Sequence, residues 1–382
     1  MLKIFNHTIR AMLFLILIPV FSSCAGSGDS TDTGKQTTIY TAGYHYTSIT
    51  QDSTKVPCYW KNQTRTDLPQ LNNLAGGEAT SIAVSGSDVY VVGFTRQTTK
   101  SVPCYWKNDN RTDLSTIDAN QSGKAQGIFI NGSKIYIAGQ TINAAGKGIP
   151  CYWENGNRTD LSTLAANYGG IAWSIFVSGS VIYVSGNTQN DISDFWTRKN
   201  VPCYWANGTR TDLSGIGGPP QNATGHSYAY SIIVKDSDIY VSGTTMDKTD
   251  LPYPCYWLNG DRTDLKFIDP SRGAYGWNMA LSGSNMYVAG WVASDIAYLP
   301  VAYPAYWKND TMNTLLDPEG SIVGQVYDVK VFGVHVYLSG YTRNWDDNTS
   351  QNIPCYWVSD SKVDLPVPDG SGGDAKSIYA IE

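Results

Sequence analysis

From residue 37 onward the apolar residues fall in short runs that alternate with polar ones and stop at Gly, Ser, Asn or Asp. Residues 81–114 show the pattern. Ser81-Ile82-Ala83-Val84 forms a first run (a) and Asp88 to Gly93 a second (b). Val102 to Lys107 forms a third (c) and Arg111-Thr112-Asp113-Leu114 a fourth (d). Short β-branched and aromatic runs bounded by turn residues predict hairpin strands. Asn155-Gly156, Asn207-Gly208 and Asn259-Gly260 lie between c and d, where a two-residue hairpin needs positive φ. No helical period follows the N-terminal segment.

The four-run unit recurs. Pro57-Cys58-Tyr59-Trp60 returns at Pro103, Pro150, Pro202, Pro254 and Pro354, and as Pro304-Ala305-Tyr306-Trp307. A repeat of this length with strand content predicts a propeller or another β array. The ends decide between them. The repeats open in run b at Ile39-Tyr40-Thr41-Ala42-Gly43 and close in run a at Ser377-Ile378-Tyr379-Ala380-Ile381. The two fragments complete one unit, which a closed ring explains, whereas a solenoid would leave two open edges. The expected fold is all-β: a seven-bladed β-propeller of four-stranded blades, closed by the C-terminal strand pairing into the N-terminal blade. A β-solenoid or two smaller domains is the alternative.

Ahead of the repeats, Lys3 and Arg10 precede the apolar stretch Ala11 to Val20, too short for a spanning helix. Residues 1–23 therefore read as an export signal. Phe21-Ser22-Ser23-Cys24 is similar to a bacterial lipobox, with Phe21 where Leu is usual, which makes Cys24 the lipidation candidate. Ordinary cleavage near Ala25 is the other reading. Residues 24–36 read as a flexible tether and 37–382 as the propeller. The expected location is the bacterial cell envelope, with membrane attachment through the lipid on Cys24.

Without residues 1–23 the chain carries 25 basic and 33 acidic residues, a net charge of −8. No basic cluster is present, which argues against a nucleic-acid partner. Six of the seven cysteines, Cys58, Cys104, Cys151, Cys203, Cys255 and Cys355, share one repeat position. Equivalent positions in successive blades lie too far apart for disulfides or a shared metal, so buried free thiols are expected. No metal site and no cofactor is expected, and the ring is read as a monomer.

Up-and-down strands place the b–c and d–a connections on one face, and these are the loops that vary in length. On that face the residue before the run-a Ser-Ile pair is Thr80, Gln126, Trp173, Tyr230, Trp277, Tyr327 and Lys376 round the ring. The preceding position is small: Ala79, Ala125, Ala172, Ala229, Gly276, Val326 and Ala375. Trp173, Tyr230, Trp277 and Tyr327 are thus the candidate ligand-binding residues, an aromatic arc that would stack on sugars or hold an apolar partner. Wedging between blades is the structural alternative. Arg-Thr-Asp-Leu, repeated from Arg65 to Arg262, reads as a staple of the outer edge. Asp191, Asp194, Asp247, Asp250, Asp295, Asp346 and Asp347 lie in b–c loops, where a pair would suit glycoside chemistry. No nucleophile elbow, P-loop or metal-spaced histidine motif occurs, so no catalytic residue is assigned.

Ser174 to Gly186, with Tyr152 to Leu161, resembles repeats of bacterial surface lipoproteins. More loosely it is similar to extracellular repeats pairing a Val-Gly strand with a Leu-Trp strand and a following Asp-Leu. The resemblance covers residues 37–382. It implies a propeller and carries no catalytic residue across. The expected function is binding of a protein or glycan partner on the variable-loop face. The alternatives are a polysaccharide-acting enzyme using loop carboxylates and a structural envelope component.

Overall fold

The computed structural model describes residues 37–382, apart from 49–52, 73–74, 166–167, 191–198, 218–224, 297–298, 316–321, 345–350 and 369. Cys24 and residues 1–36 lie outside the described residues. The compact unit runs Thr37–Glu382 and is a β-propeller of seven four-stranded antiparallel sheets. In blade 2 strand a is Gly77–Ser85, b is Asp88–Gln97, c is Lys100–Lys107 and d is Asn110–Asp113. Blades 3 to 7 follow the same order along the chain.

Blade 1 takes its inner strand from the far end of the chain. Gly373–Ile381 pairs with Thr38–Tyr46, which pairs with Lys55–Lys61 and then Thr64–Asp67. The inner strands contact one another in a closed cycle and line the central channel. Closure completes the fourth strand of blade 1 and turns the edge of every inner strand towards the channel. Asp328, 1% exposed on the inner strand of blade 7, reinforces the seam. Its Oδ2 accepts from Ser377 Oγ at 2.8 Å and from the Ile378 amide at 3.1 Å, both on the C-terminal strand.

The core lies between blades. Tyr40, Ala42 and Leu68 of blade 1 pack with Ala79, Ile82, Val91, Cys104 and Trp106 of blade 2, and similar clusters join other neighbours. The strand-c tryptophans are the largest pieces. All seven are 0–1% exposed. Each of the first six donates from Nε1 to a carbonyl just past the outer strand of the preceding blade, as Trp106 does to Pro69 and Trp205 to Ser162, both at 2.9 Å. Trp60 reaches Pro366 at 2.9 Å and so bolts blade 1 to blade 7. A buried indole with its N–H satisfied brings large apolar area without an orphaned donor.

The c–d hairpins follow their residues. Asn155 and Gly156 have φ of 49° and 84°, and the Asn155 side-chain oxygen accepts the Ile135 amide at 2.9 Å. The six repeat cysteines are free and buried. Burial pushes the Cys104 and Cys203 thiols up to about 12, so they are neutral packing groups. The repeated Arg and Asp pair along strand d, Arg65 with Asp67 at 2.9 Å and Arg262 with Asp264 at 2.8 Å. Each repeat Arg sits opposite the strand-c Trp, as Arg65 does Trp60. The motif is local architecture of the outer edge.

Candidate functional site

The loop-face end of the channel is shaped by a β-bulge in every blade. Strands a and b slip register at the inner-strand position that holds Thr80, Gln126, Trp173, Tyr230, Trp277, Tyr327 or Lys376. In blade 6 the slip is wider and takes in both Trp277 and Asn278. A bulge frees its extra residue from pairing and re-aims the side chain. The preceding small residue turns the other way, into the blade contact; Ala79, Ala125, Ala172, Ala229 and Ala375 are all 0% exposed.

Strand b explains why the bulge is possible. Opposite it stands a glycine in each blade: Gly43, Gly93, Gly139, Gly186, Gly243, Gly290 and Gly340. A Cβ there would lie 1.9–2.2 Å from an inner-strand carbonyl oxygen, for example 1.9 Å from Tyr228 O at Gly243. No side chain fits at that distance. The Val-x-Gly signature of strand b is thus a requirement of close backbone approach.

The bulges bring the four aromatic candidates together as one arc. Ring centroids are 5.6 Å apart for Trp173–Tyr230, 4.6 Å for Tyr230–Trp277 and 6.3 Å for Trp277–Tyr327. Trp173, Trp277 and Tyr327 are half-buried, and Tyr230 is 9% exposed between its neighbours. The arc, with Thr80, Gln126, Glu78 and Lys376 on its polar side, lines a cavity of about 270 Å³. Edge-to-face and tilted packing at these separations rigidifies the rings.

A second tier stands behind the first. Tyr228 stacks on Tyr230 at 5.6 Å and 9°, Tyr275 on Trp277 at 5.2 Å and 21°, and Trp291 on Tyr275 at 5.0 Å and 24°. Tyr341 lies 6.0 Å from Tyr327. The sequence reading missed this tier. Its signal was present, because Tyr228 and Tyr275 lie two residues before Tyr230 and Trp277, on the same side of strand a.

Where the arc ends, charge begins, and it is paired. Lys376 Nζ sits 3.7 Å over the Tyr327 ring and 2.7 Å from Asp374 Oδ2. Asp374, 4% exposed, also accepts from Tyr44 Oη at 2.9 Å, Asn352 Nδ2 at 2.9 Å and Tyr327 Oη at 3.2 Å. Burial disfavours its charge, but the Lys376 ammonium and the hydrogen bonds of Lys376, Asn352 and Tyr44 outweigh that and hold its carboxyl below the usual range. Glu78 pairs with Lys55 at 2.8 Å, and Lys55 Nζ lies 4.0 Å over the Tyr44 ring.

Two of the seven loop carboxylates are described. Asp247 Oδ1 accepts from Thr249 N and Oγ1 and from Leu251 N at 2.6–3.1 Å, and the Thr249 hydroxyl bond leads in holding its pKa below the usual range. It closes its own turn, with Asp250 in the left-handed region at φ 61°. Asp191, Asp194, Asp346, Asp347 and the side chain of Asp295 lie outside the described residues. Among the described residues no group of three His, Cys, Asp or Glu is placed to hold a metal ion.

No family model matches the chain, and no curated protein matches it. Solved structures do. The β-propeller domain of the Trilobed protease from Pyrococcus furiosus has 10% identity and a TM-score of 0.47, over 88% of this chain and 96% of that one. A puromycin-hydrolysing peptidase of Mycobacterium tuberculosis has 11% identity and a TM-score of 0.46 over 77% of this chain, which spans 46% of the peptidase. A mutant Aleuria aurantia lectin in complex with α-methyl-L-fucoside has 12% identity and a TM-score of 0.42, over 76% and 96% of the two chains. Hydrolysis of puromycin and the bound fucoside are properties of those proteins.

At the mouth rigid aromatic faces lie beside amides and hydroxyls, and the two carboxylates, Glu78 and Asp374, are each occupied by a lysine.

Proposed function

We propose that this chain is a binding propeller, not an enzyme, and that it takes a glycan on the aromatic arc at its channel mouth. The carrying observation is the bulge position. The same backbone device presents four touching aromatics on blades 4 to 7 and Thr80, Gln126 and Lys376 on the remaining three. A position serving only to pack blades holds one kind of residue throughout, as the strand-c Trp and the small residue before the bulge do. Pyranose rings offer an apolar face to an aromatic and hydroxyls to an amide, and the mouth supplies both. The reading includes display at a bacterial surface through a lipid on Cys24, supported by the residue pattern of 1–24. Two acyl chains or more anchor stably where one is marginal. Cys24→Ala should release the protein into the soluble export compartment or stall it uncleaved; a processed, membrane-bound variant would refute the anchor.

A glycan array probed with residues 37–382, beside a pull-down from bacterial envelope, tests the site. Trp173→Ala and Trp277→Ala should each weaken capture about 2- to 10-fold, the equivalent of roughly 0.5–1.5 kcal/mol per stacked ring. Capture of a protein, and of no sugar, would replace the glycan by a protein partner. Binding indifferent to both substitutions would make the arc a packing feature.

A further inference from the structure

We propose that the ligand is a linear, uncharged oligosaccharide that crosses Trp173, with one part on the aromatic arc and the next in an amide-lined pocket on the outer side of that indole. The inference rests on the glycan reading of the mouth. A second cavity of about 360 Å³ opens beside the first, among blades 3, 4 and 5. Four amide side chains line it, Gln140, Asn187, Gln189 and Asn200. Trp173 lines both cavities. Tyr228 lines the amide pocket and stacks on Tyr230 of the arc. The two spaces are therefore neighbours across one aromatic wall. Neither reaches far into the range of about 300–1,000 Å³ of ordinary ligand sites, which suits successive units of one chain better than a single bulky molecule.

The polar groups match hydroxyls. Asn187 Oδ1 accepts Trp173 Nε1 at 2.8 Å, which fixes the indole between the cavities. Gln189 Oε1 accepts the Gly169 amide at 3.4 Å, and Asn200 Nδ2 donates to Tyr228 Oη at 3.0 Å. Among the described residues two of these bonds use an amide oxygen and one an amide nitrogen. The set thus presents donors and acceptors together, as hydroxyls that do both require. Charge is scarce. Among the described residues lining the mouth the two charged groups are both paired, Glu78 with Lys55 and Lys376 with Asp374. Among the described residues Lys147 is the one charged residue lining the amide pocket.

Calorimetric titration with matched probes tests the proposal: cellobiose and cellohexaose, di- and hexa-N-acetylchitooligosaccharide, maltose and maltohexaose, with hexagalacturonate and the chitosan hexamer as charged arms. For at least one neutral series the hexamer should bind about tenfold tighter than the dimer, what one to two further hydrogen bonds contribute. Gln140→Ala combined with Gln189→Ala should bring that ratio towards one, and so should the isosteric Asn200→Asp, each checked for an unchanged urea midpoint. Equal affinity for dimer and hexamer overturns the extended site and leaves the mouth reading standing. Binding of the charged hexamers alone overturns the uncharged ligand. If no sugar of either length binds and Trp173→Ala alters no capture, the mouth reading fails as well.

Discussion

Two rings of side chains run round this propeller at different radii, and they obey opposite rules. On strand c every blade holds Trp, 0–1% exposed, and the first six are tied by an indole N–H to the blade before. At the bulge on strand a the residues are Thr, Gln, Trp, Tyr, Trp, Tyr and Lys. The outer ring solves one packing problem seven times, so one residue answers it. The inner ring is supported by small residues and strand-b glycines beneath it, so its side chains can differ from blade to blade. A repeat protein thus separates the position that builds the ring from the position that differentiates it.

Removing the seam breaks the comparison most severely. A chain ending before Ala375 loses most of the inner strand of blade 1, with the buried Ala375 and Ile378 and the Asp328 contacts. Global unfolding or aggregation should follow, read as loss of the cooperative urea transition; an unchanged midpoint would mean the ring does not depend on its closure.

The two tryptophan classes should then part company. Trp205→Ala empties a fully buried site and should cost about 3–5 kcal/mol. Trp173→Ala, at a half-buried bulge, should cost under about 1.5 kcal/mol yet weaken ligand binding. Equal losses of stability would erase the distinction drawn between the rings.

Gly243→Ala probes the link between them. Its Cβ would meet Tyr228 O at 1.9 Å, so the bulge must shift. A loss of about 1–3 kcal/mol is expected, as for overpacking, together with weaker binding at the arc. Full stability with full binding would show that the bulge tolerates a side chain.

Acid should act through Asp374. Its folded pKa is depressed, so its stabilisation is present above the ordinary carboxylate value and fades as pH falls through the folded one. The urea midpoint of the native chain should fall over that window more steeply than that of Asp374→Asn. Parallel pH profiles would deny the Lys376–Asp374 pair that role.

The smallest effect is expected at the cysteines. Blade 6 carries Ala305 at the repeat position, itself 0% exposed, so Cys151→Ala should cost about 1 kcal/mol or less. Thiol reagents should label the six slowly in the native protein and fully in denaturant. Rapid native labelling would contradict their burial.

The ring was legible because the repeat repeats its errors as well as its rules. The Asn-Gly turns and the repeat cysteine recur along the chain, and the split blade is stated once, at its two ends. The arc was half legible: equivalent positions in four adjacent blades marked Trp173, Tyr230, Trp277 and Tyr327 as neighbours, but the bulge that turns them inward was not read. The second tier, the amide pocket and the Lys376–Asp374–Tyr44–Tyr327 network were not read. Gln140 lies on blade 3, Asn187 on blade 4 and Tyr228 on blade 5, and only the angle between blades makes them neighbours.

By itself the sequence determined the strand content, the blade count, the closing strand and the buried column of thiols, because these follow from alternation, turn chemistry and periodicity within about fifty residues. Tertiary structure decided the rest. Each strand-b glycine admits the close carbonyl that the bulge brings, the bulge turns one side chain inward, and the ring brings the inward residues of successive blades within 4.6–6.3 Å along the arc. That proximity is long-range geometry, which no local pattern encodes.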